Sequence, residues 1–315
     1  MTIAIVGSSN FDFAARVEKL PTPGQTVTSL DYKTGPGGKG CNQAMAVVRL
    51  GGAPIFISKI GDDLLGRQLL ETLNAEGLDT DHLIIGDEVQ TGIAMIAVDE
   101  RGENIITVVG GANMTLSRSD LHKKQSYLRD CEYLLLQLEC PVVTIDCAIK
   151  YAREGSAKVI LDPAPVADLV VMRDLLALTH IVTPNQSECL ALTGIEPIDA
   201  DTAWAACRKL HEMGPETVVI KMGASGAFYS SAGQHAMVPG FTVDTIDTVG
   251  AGDCFNAGLV TALQNGQDIK AAVRFGCACG ALSTTRNGAA QAAPQLEDVL
   301  ALLEAQPGKA QDHND

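Results

Sequence analysis

The sequence is poor in positive charge, in long apolar runs and in the clustered side chains that hold transition metals. Its 315 residues carry 38 Asp and Glu against 23 Lys and Arg, a net charge of −15. A surface this negative repels phosphate backbones and anionic lipid, which argues against nucleic-acid and membrane-surface roles. No stretch approaches the roughly 20 apolar residues that a membrane helix needs. The nine cysteines include no Cys-x-x-Cys pair, and the six histidines form neither His-x-His nor His-Glu-x-x-His. A transition-metal site is therefore not expected. Low-complexity tracts, internal repeats and long linkers are absent as well. What is present is a globular composition, 46% hydrophobic and 19% charged, long enough for one large α/β domain or a domain with a small appendage.

The apolar run at 2–7 has no basic flank, so it reads as a buried strand and not as a signal peptide. An odd number of cysteines without a secretion signal points to reduced thiols and a cytoplasmic protein. The Asn-x-Ser/Thr sequons at Asn113 and Asn185 then carry no sugar.

Along the chain, strands alternate with helical stretches. After the strand at 2–7, extended pieces are expected at 11–15 and 26–34, a helix at 41–51, a strand at 55–60 and a helix at 64–76 that ends at Gly77. Further strands are expected near 133–137, 158–162, 180–183 and 217–221, with helices between them. Such alternation implies a mostly parallel, doubly wound sheet covered on both faces. Two segments, 91–99 and 104–110, flank the polar turn Glu100-Arg101-Gly102-Glu103 and read as a hairpin. With 11–15 and 26–34 they make a small four-stranded sheet, a lid over a cleft or a dimerisation surface. Helices at 251–264, 268–285 and 295–305 complete a single domain over 1–306, and a polar, frayed tail is expected at 307–315.

Three local patterns suggest chemistry. In Asp247-Thr248-Val249-Gly250-Ala251-Gly252-Asp253, a glycine-rich turn opens a helix. Its unpaired amides make a hole for a phosphoryl group or a developing negative charge. Asp253, in the first turn, suits a general base, although a first-turn carboxylate is also an ordinary feature of helix N-termini. The run Gly35-Pro36-Gly37-Gly38-Lys39-Gly40-Cys41-Asn42 formally matches Gly-x-Gly-x-x-Gly, but it does not follow the first strand as a dinucleotide fingerprint requires. It is not a Walker A loop either, because Gly follows Lys39. Lys39 and Asn42 share one face of the helix start, a functional pair or a solvated lysine in a glycine-rich turn. Asn10 and Asp12 point to one side of an extended chain just past the first strand. There they suit a grip on adjacent hydroxyls, or a turn.

Eight segments in order, from Gly7-Ser8-x-Asn10-x-Asp12 and Pro21-Thr22-Pro23-Gly24 through GGKGCNQA, Ile60-Gly61-Asp62-Asp63, QLECP (137–141), Asp162-Pro163-Ala164-Pro165 and TPNQSE (183–188) to DTVGAGDCFNAG (247–258), resemble the ribokinase-like PfkB family of sugar kinases over nearly the whole chain. The resemblance implies a ribokinase-like doubly wound domain with a four-stranded β lid that transfers phosphate from Mg-ATP to the primary hydroxyl of ribose. It places the sugar on Asn10, Asp12, Gly38, Lys39, Asn42 and Glu139, under Ala94 and Val108 of the lid. Asp253 becomes the base, and Gly250, Ala251, Gly252 and Asp253 supply the anion hole. Asn185 and Glu188 match the family's phosphate and magnesium motif, with Glu188 acting on the metal indirectly. The run Lys221-Met222-Gly223-Ala224-Ser225-Gly226 matches the nucleotide segment, and Cys277 lies in the helix beside adenine.

A potassium site would map to Asp247, Val249, Ser283, Arg286, Gly288 and Ala292, mostly through backbone oxygens. The chain departs from the family at 288–294, where GAAQAAP leaves Ala292 without a hydroxyl, and at Lys221, which replaces a small hydroxyl residue. Cys277 reads as a small buried hydrophobe, whereas Cys41 and Cys254 occupy helix starts where a thiolate can be stabilised. Other readings are a kinase of 2-deoxyribose, a ketohexose or a nucleoside, a non-catalytic sugar- or nucleotide-binding regulator, and a nicotinamide-dependent oxidoreductase. The lid strand carries Ala94, Met95 and Ile96 and no aromatic platform for a base. Apolar residues on both faces of the lid imply a homodimer through it.

Overall fold

The computed structural model describes residues 2–307; the tail expected from 307 onward lies outside them, apart from Pro307. The chain begins with β1 (Ile3–Val6), β2 (Asn10–Arg16), β3 (Asp31–Gly37) and α1 (Lys39–Arg49), followed by β4 (Ile55–Ile57), β5 (Lys59–Gly61) and α2 (Leu64–Ala75). Next come β6 (Ile84–Gly86), β7 (Gly92–Val98), β8 (Asn104–Val109), α3 (Arg118–His122), α4 (Gln125–Asp130), β9 (Tyr133–Leu136) and α5 (Val142–Glu154). The alternation resumes with β10 (Lys158–Leu161), α6 (Leu169–Leu176), β11 (Ile181–Val182), α7 (Gln186–Thr193), α8 (Ala200–Glu212) and β12 (Thr217–Lys221). It ends with β13 (Gly226–Ser231), β14 (Gln234–Pro239), α9 (Ala251–Gln264), α10 (Ile269–Ser283) and α11 (Leu296–Ala305).

Eight strands form the main sheet in the order β14-β13-β12-β11-β10-β9-β1-β4. From β12 to β4 the pairing is parallel, and β13 and β14 add an antiparallel edge. The parallel strands are apolar throughout because both of their faces are covered. Ile3, Ile5, Leu135, Ile160 and Val219 face the core beneath α1, α9 and α10. Their neighbours Ala4, Val6, Leu136, Leu161 and Ile220 face the second core, with residues of α5, α6 and α8. Both cores depend on the same strands, so losing β1 would open the two together. No helix among the described residues is long and apolar enough to cross a membrane.

A second sheet, β3-β2-β7-β8, stands apart from the first. The four lid strands are where the sequence places them, with shifted edges. β3 starts at Asp31 and runs through Gly35-Pro36-Gly37, which pair with Asp12, Phe11 and Asn10. Half of the glycine-rich run is thus an edge strand, where Pro36 has no ladder N–H to miss, and α1 begins at Lys39, earlier than position 41. The expected strand at 55–60 divides at Ser58 into β4, in the main sheet, and β5, in a two-stranded sheet with β6. The hairpin β13–β14 was not anticipated. Its turn residues Ala232 and Gly233 both have positive φ, 50° and 79°, and an alanine in the first turn position hides the usual Asn-Gly signal.

Candidate active site

The parallel strands all end on one side, and the residues that follow them converge there, where open α/β sheets bind ligands. Ser8 follows β1, Gln137 and Glu139 follow β9, Asp162 follows β10, Asn185 follows β11, and Lys221 ends β12. An isolated bridge joins Asn185 to Lys221. The facing wall is the N-terminus of α9. Gly250 there has φ 76°, and a side chain on it would also press on Ala289, 3.0 Å from its Cα. With Gly250 as N-cap and no side-chain cap on α9, the amides of Gly252 and Asp253 have no helical acceptor and both residues line the cleft, whereas the Ala251 amide donates to Thr248 O at 3.3 Å. The cavity between these walls measures about 610 Å3 and is lined by Lys39, Asn185, Glu188, Lys221, Gly250 and Asp253 among others.

Asp253 is 5% exposed. Asn42 Nδ2 donates to its Oδ2 at 2.8 Å and Gln43 Nε2 donates to its Oδ1 at 3.0 Å. Burial pushes the Asp253 carboxyl above its ordinary value, against the pull of Lys39; Asp162 adds to the rise, while the bonds from Asn42 and Gln43 oppose it. A buried carboxylate with a raised pKa is a stronger base than an exposed one. Lys39 in turn is held charged, above its usual range, chiefly by Asp253, with Asp162, Glu139 and Glu188 adding to it. Its backbone amide donates to Glu139 Oε2 at 2.9 Å, and Ser8 Oγ donates to the same oxygen at 2.5 Å.

The lid contributes a row of residues in register: Gly35, Asp12, Ala94 and Val108. The Asp12 carboxylate lies over Gly37, whose missing side chain would stand 1.9 Å from Asp12 Oδ2. Asp12 Oδ1 is buried without a hydrogen-bond partner among the described residues. Burial, with Glu139 nearby, pushes the Asp12 carboxyl up to about 7. An unsatisfied buried carboxylate is expensive, and the hydroxyls of a polyol would satisfy it. Asn10 starts β2, and its Oδ1 accepts from Asn113 Nδ2 at 2.8 Å. Ala94 is 5% exposed, but Val108 is 53% exposed, as is every residue of β8 to a substantial degree. Val108 pairs with Ala94 in the same lid row.

Asn185 and Glu188 form a capping box on α7, with the Asn185 amides donating to both Glu188 oxygens at 2.8 Å. Among the described residues, no group of three His, Cys, Asp or Glu side chains is placed to hold a metal. The cavity wall carries two lysines against four carboxylates, Asp162, Glu188, Glu196 and Asp253. A polyphosphate would enter this negative pocket with a divalent ion on its own oxygens, which suits Mg2+ with few protein ligands.

The residues mapped to a potassium site cluster beyond Gly250. Asp247 accepts from the amides of Val249 and Gly288, each at 3.0 Å. Ser283 Oγ donates to Gly280 O, and the Arg286 guanidinium pairs with Asp298 at 2.9 Å. Arg49 occupies the carbonyls of Gln291 and Ala293, at 2.6 and 2.9 Å, on either side of the hydroxyl-free Ala292. Asp247 is the one carboxylate of this set, and both of its oxygens already accept from amides.

Gly223 reaches the cavity wall, but Met222, Ala224, Ser225, Gly226 and Cys277 are not part of it. Met222 is core, and Gly226 starts β13. Burial pushes the Cys254 and Cys277 thiols up to about 12, and raises Cys41 as well. The helix starts therefore do not stabilise a thiolate. Sequence reasoning missed Gln43, Gln137 and the role of Asp162. Gln43 Nε2 bridges Asp253 and Asp162, the latter at 3.2 Å, and Gln137 donates to Gln43 Oε1. For Asp162 a signal existed, since it directly follows an apolar strand as Asn185 nearly does.

A mostly parallel sheet with a β lid, an anion hole at a helix start and a buried carboxylate beside it define a phosphotransferase-type α/β site. The pfkB family carbohydrate kinase model matches residues 2–296, and the chain belongs to that family. It is 39% identical to the ribokinase of Haemophilus influenzae over 303 residues, covering 96% of this chain and 98% of that one. It is 32% identical over 298 residues to the deoxyribokinase of Salmonella typhimurium, covering 94% and 97% of the two chains. Among solved structures, Arabidopsis thaliana ribokinase complexed with ribose and ATP superposes with a TM-score of 0.86 at 29% identity, covering 96% of this chain and 98% of that one.

Proposed function

We propose that this chain is a ribokinase, an ATP-dependent kinase that phosphorylates the primary hydroxyl of D-ribose to ribose 5-phosphate. The observation that carries the reading is the Asp253 carboxylate: buried, held by Asn42 and Gln43, and set in the first turn of a helix whose amides line the cavity. Asn10, Asp12, Gly38, Lys39, Asn42 and Glu139 hold the sugar, with Ala94 and Val108 of the lid against its apolar side. Asp253 takes the proton of the attacking hydroxyl, and the first turn of α9 receives the charge of the transferred phosphoryl group. In-line transfer asks chiefly for positioning and neutralisation, and the fixed amides and Lys39 supply both without reorganising. Asn185 and Glu188 face the nucleotide phosphates. Mg2+ held there through Glu188 would neutralise phosphate charge. K+ at the Asp247 cluster would brace the anion-hole loop.

The similarity to a deoxyribokinase favours 2-deoxyribose as the second reading. The enzyme acts in the cytoplasm as a homodimer through the lid, whose Met95, Ile105, Ile106 and Val109 are each 45–48% exposed. A monomer in sedimentation at micromolar concentration would refute that assembly.

The test is ADP release with Mg-ATP against ribose, 2-deoxyribose, fructose and adenosine, with and without K+, beside Asp253→Asn. Ribose turnover that falls at least about 100-fold in the variant is expected for a lost general base. Turnover only on another sugar moves the acceptor, and nucleotide binding without any turnover would replace the enzyme with a regulator.

A further inference from the structure

Lys221 differs from the other cavity lysine in what holds it. Its side chain is 11% exposed, and Nζ donates to Asp162 Oδ1 at 2.8 Å. The second Asp162 oxygen accepts from Gln43 Nε2. Lys221 Nζ also stands 3.5 Å from the point a Cβ on Gly252 would occupy, the one contact such a Cβ would make. The ammonium thus lies over the first turn of α9, between that turn and the Asn185–Glu188 cap. Lys39, by contrast, donates to Glu139 through its backbone amide, and its ammonium is held charged chiefly by Asp253.

We propose that Lys221 is a donor-specific residue that exchanges partners: it leaves Asp162 for a phosphoryl oxygen of the nucleotide. The proposal rests on the donor-site reading given above. A buried ion pair is only weakly stabilising once desolvation is counted, so a polyphosphate, with more charge than one carboxylate, competes successfully for the ammonium. Asp162 is not orphaned by the exchange, because Gln43 still donates to it. The flexible four-carbon stem and three N–H donors of lysine allow the swing without backbone movement. Asp162 acts as the parking position of the charge and keeps it aimed over the anion hole.

Calorimetric titration of ADP and adenosine into the intact protein, with ribose titrated separately, tests this with Lys221→Met, Lys221→Arg and Asp162→Asn. Lys221→Met is expected to weaken ADP by roughly 10- to 100-fold, the value of a charge-assisted hydrogen bond, with adenosine and ribose unchanged. Lys221→Arg should recover part of the loss. Asp162→Asn, which frees the ammonium, should bind ADP at least as tightly as the wild type. Unchanged ADP affinity in Lys221→Met would overturn the proposal, as would an Asp162→Asn variant that loses ADP equally, since Lys221 would then serve only the pair. Wild-type protein that binds ribose but no ADP would overturn the donor-site reading itself.

Discussion

Asp12→Asn keeps the shape of the lid's inner row and removes one buried charge, so its effect on stability depends on pH. The carboxyl rises from 3.8 to about 7 on folding, because it is buried and Glu139 is near. At 1.36 kcal/mol per pKa unit, ionising it inside the fold costs about 4 kcal/mol. The sign follows from where the proton sits. Below 3.8 both folded and unfolded chains hold it, and no penalty exists. Between 3.8 and about 7 only the folded chain holds it, so wild-type stability falls as pH rises, levelling off above about 7. The variant has no such titration. Roughly 3 kcal/mol of advantage should therefore open for Asp12→Asn between pH 5 and pH 8. At about 2 °C per kcal/mol for a chain of this size, the melting temperatures should separate by about 6 °C more at pH 8 than at pH 5. The same change should weaken ribose binding, and the wild-type KM for ribose should fall as pH rises through neutrality while the variant's stays flat. A melting difference that is the same at both pH values would refute the argument.

Two glycines of the anion hole should separate fold from function. Gly252→Ala meets only Lys221 Nζ, so the protein should keep its stability or gain up to about 1 kcal/mol, while KM for ATP rises. Gly250→Ala, at φ 76° and against Ala289, should lose about 1–2 kcal/mol in chemical denaturation. The thiols offer a third check. Eight of the nine cysteines are buried and Cys147 is intermediate, so iodoacetamide should label Cys147 alone in native protein and all nine after denaturation, as judged by mass spectrometry. Native labelling at Cys41 or Cys254 would contradict their burial.

The parts of this site legible in the sequence are those set by local geometry. The Gly250–Asp253 turn, the Asn185–Glu188 capping box and the Asn10–Asp12 alternation each lie within four residues, where backbone periodicity alone decides which groups face together. The amide network around Asp253 is different in kind. Gln43 and Asp253 are 210 positions apart, and Gln43 and Gln137 are 94 apart, so only the packing of α1 against α9 and β9 reveals them. Lid strands showed through their alternation, but the register that aligns Asp12 with Ala94 and Val108 is a property of pairing. Cys41 and Cys254 mislead in the opposite direction: a helix start favours the thiolate, yet complete burial outweighs it.

The place of β1 between β4 and β9 has a consequence for the order in which the molecule is made. Of the described strands it is the earliest to be synthesised, but its partners are β4 and β9, and Ile3 pairs with Tyr133, about 130 positions later. At roughly 5–20 residues per second of synthesis, one edge of β1 waits about 6–26 seconds for its neighbour. An apolar strand with an open edge is a template for unwanted pairing. Growing chains halted before residue 133 should therefore be the species that chaperones retain, and release should come only once β9 has emerged.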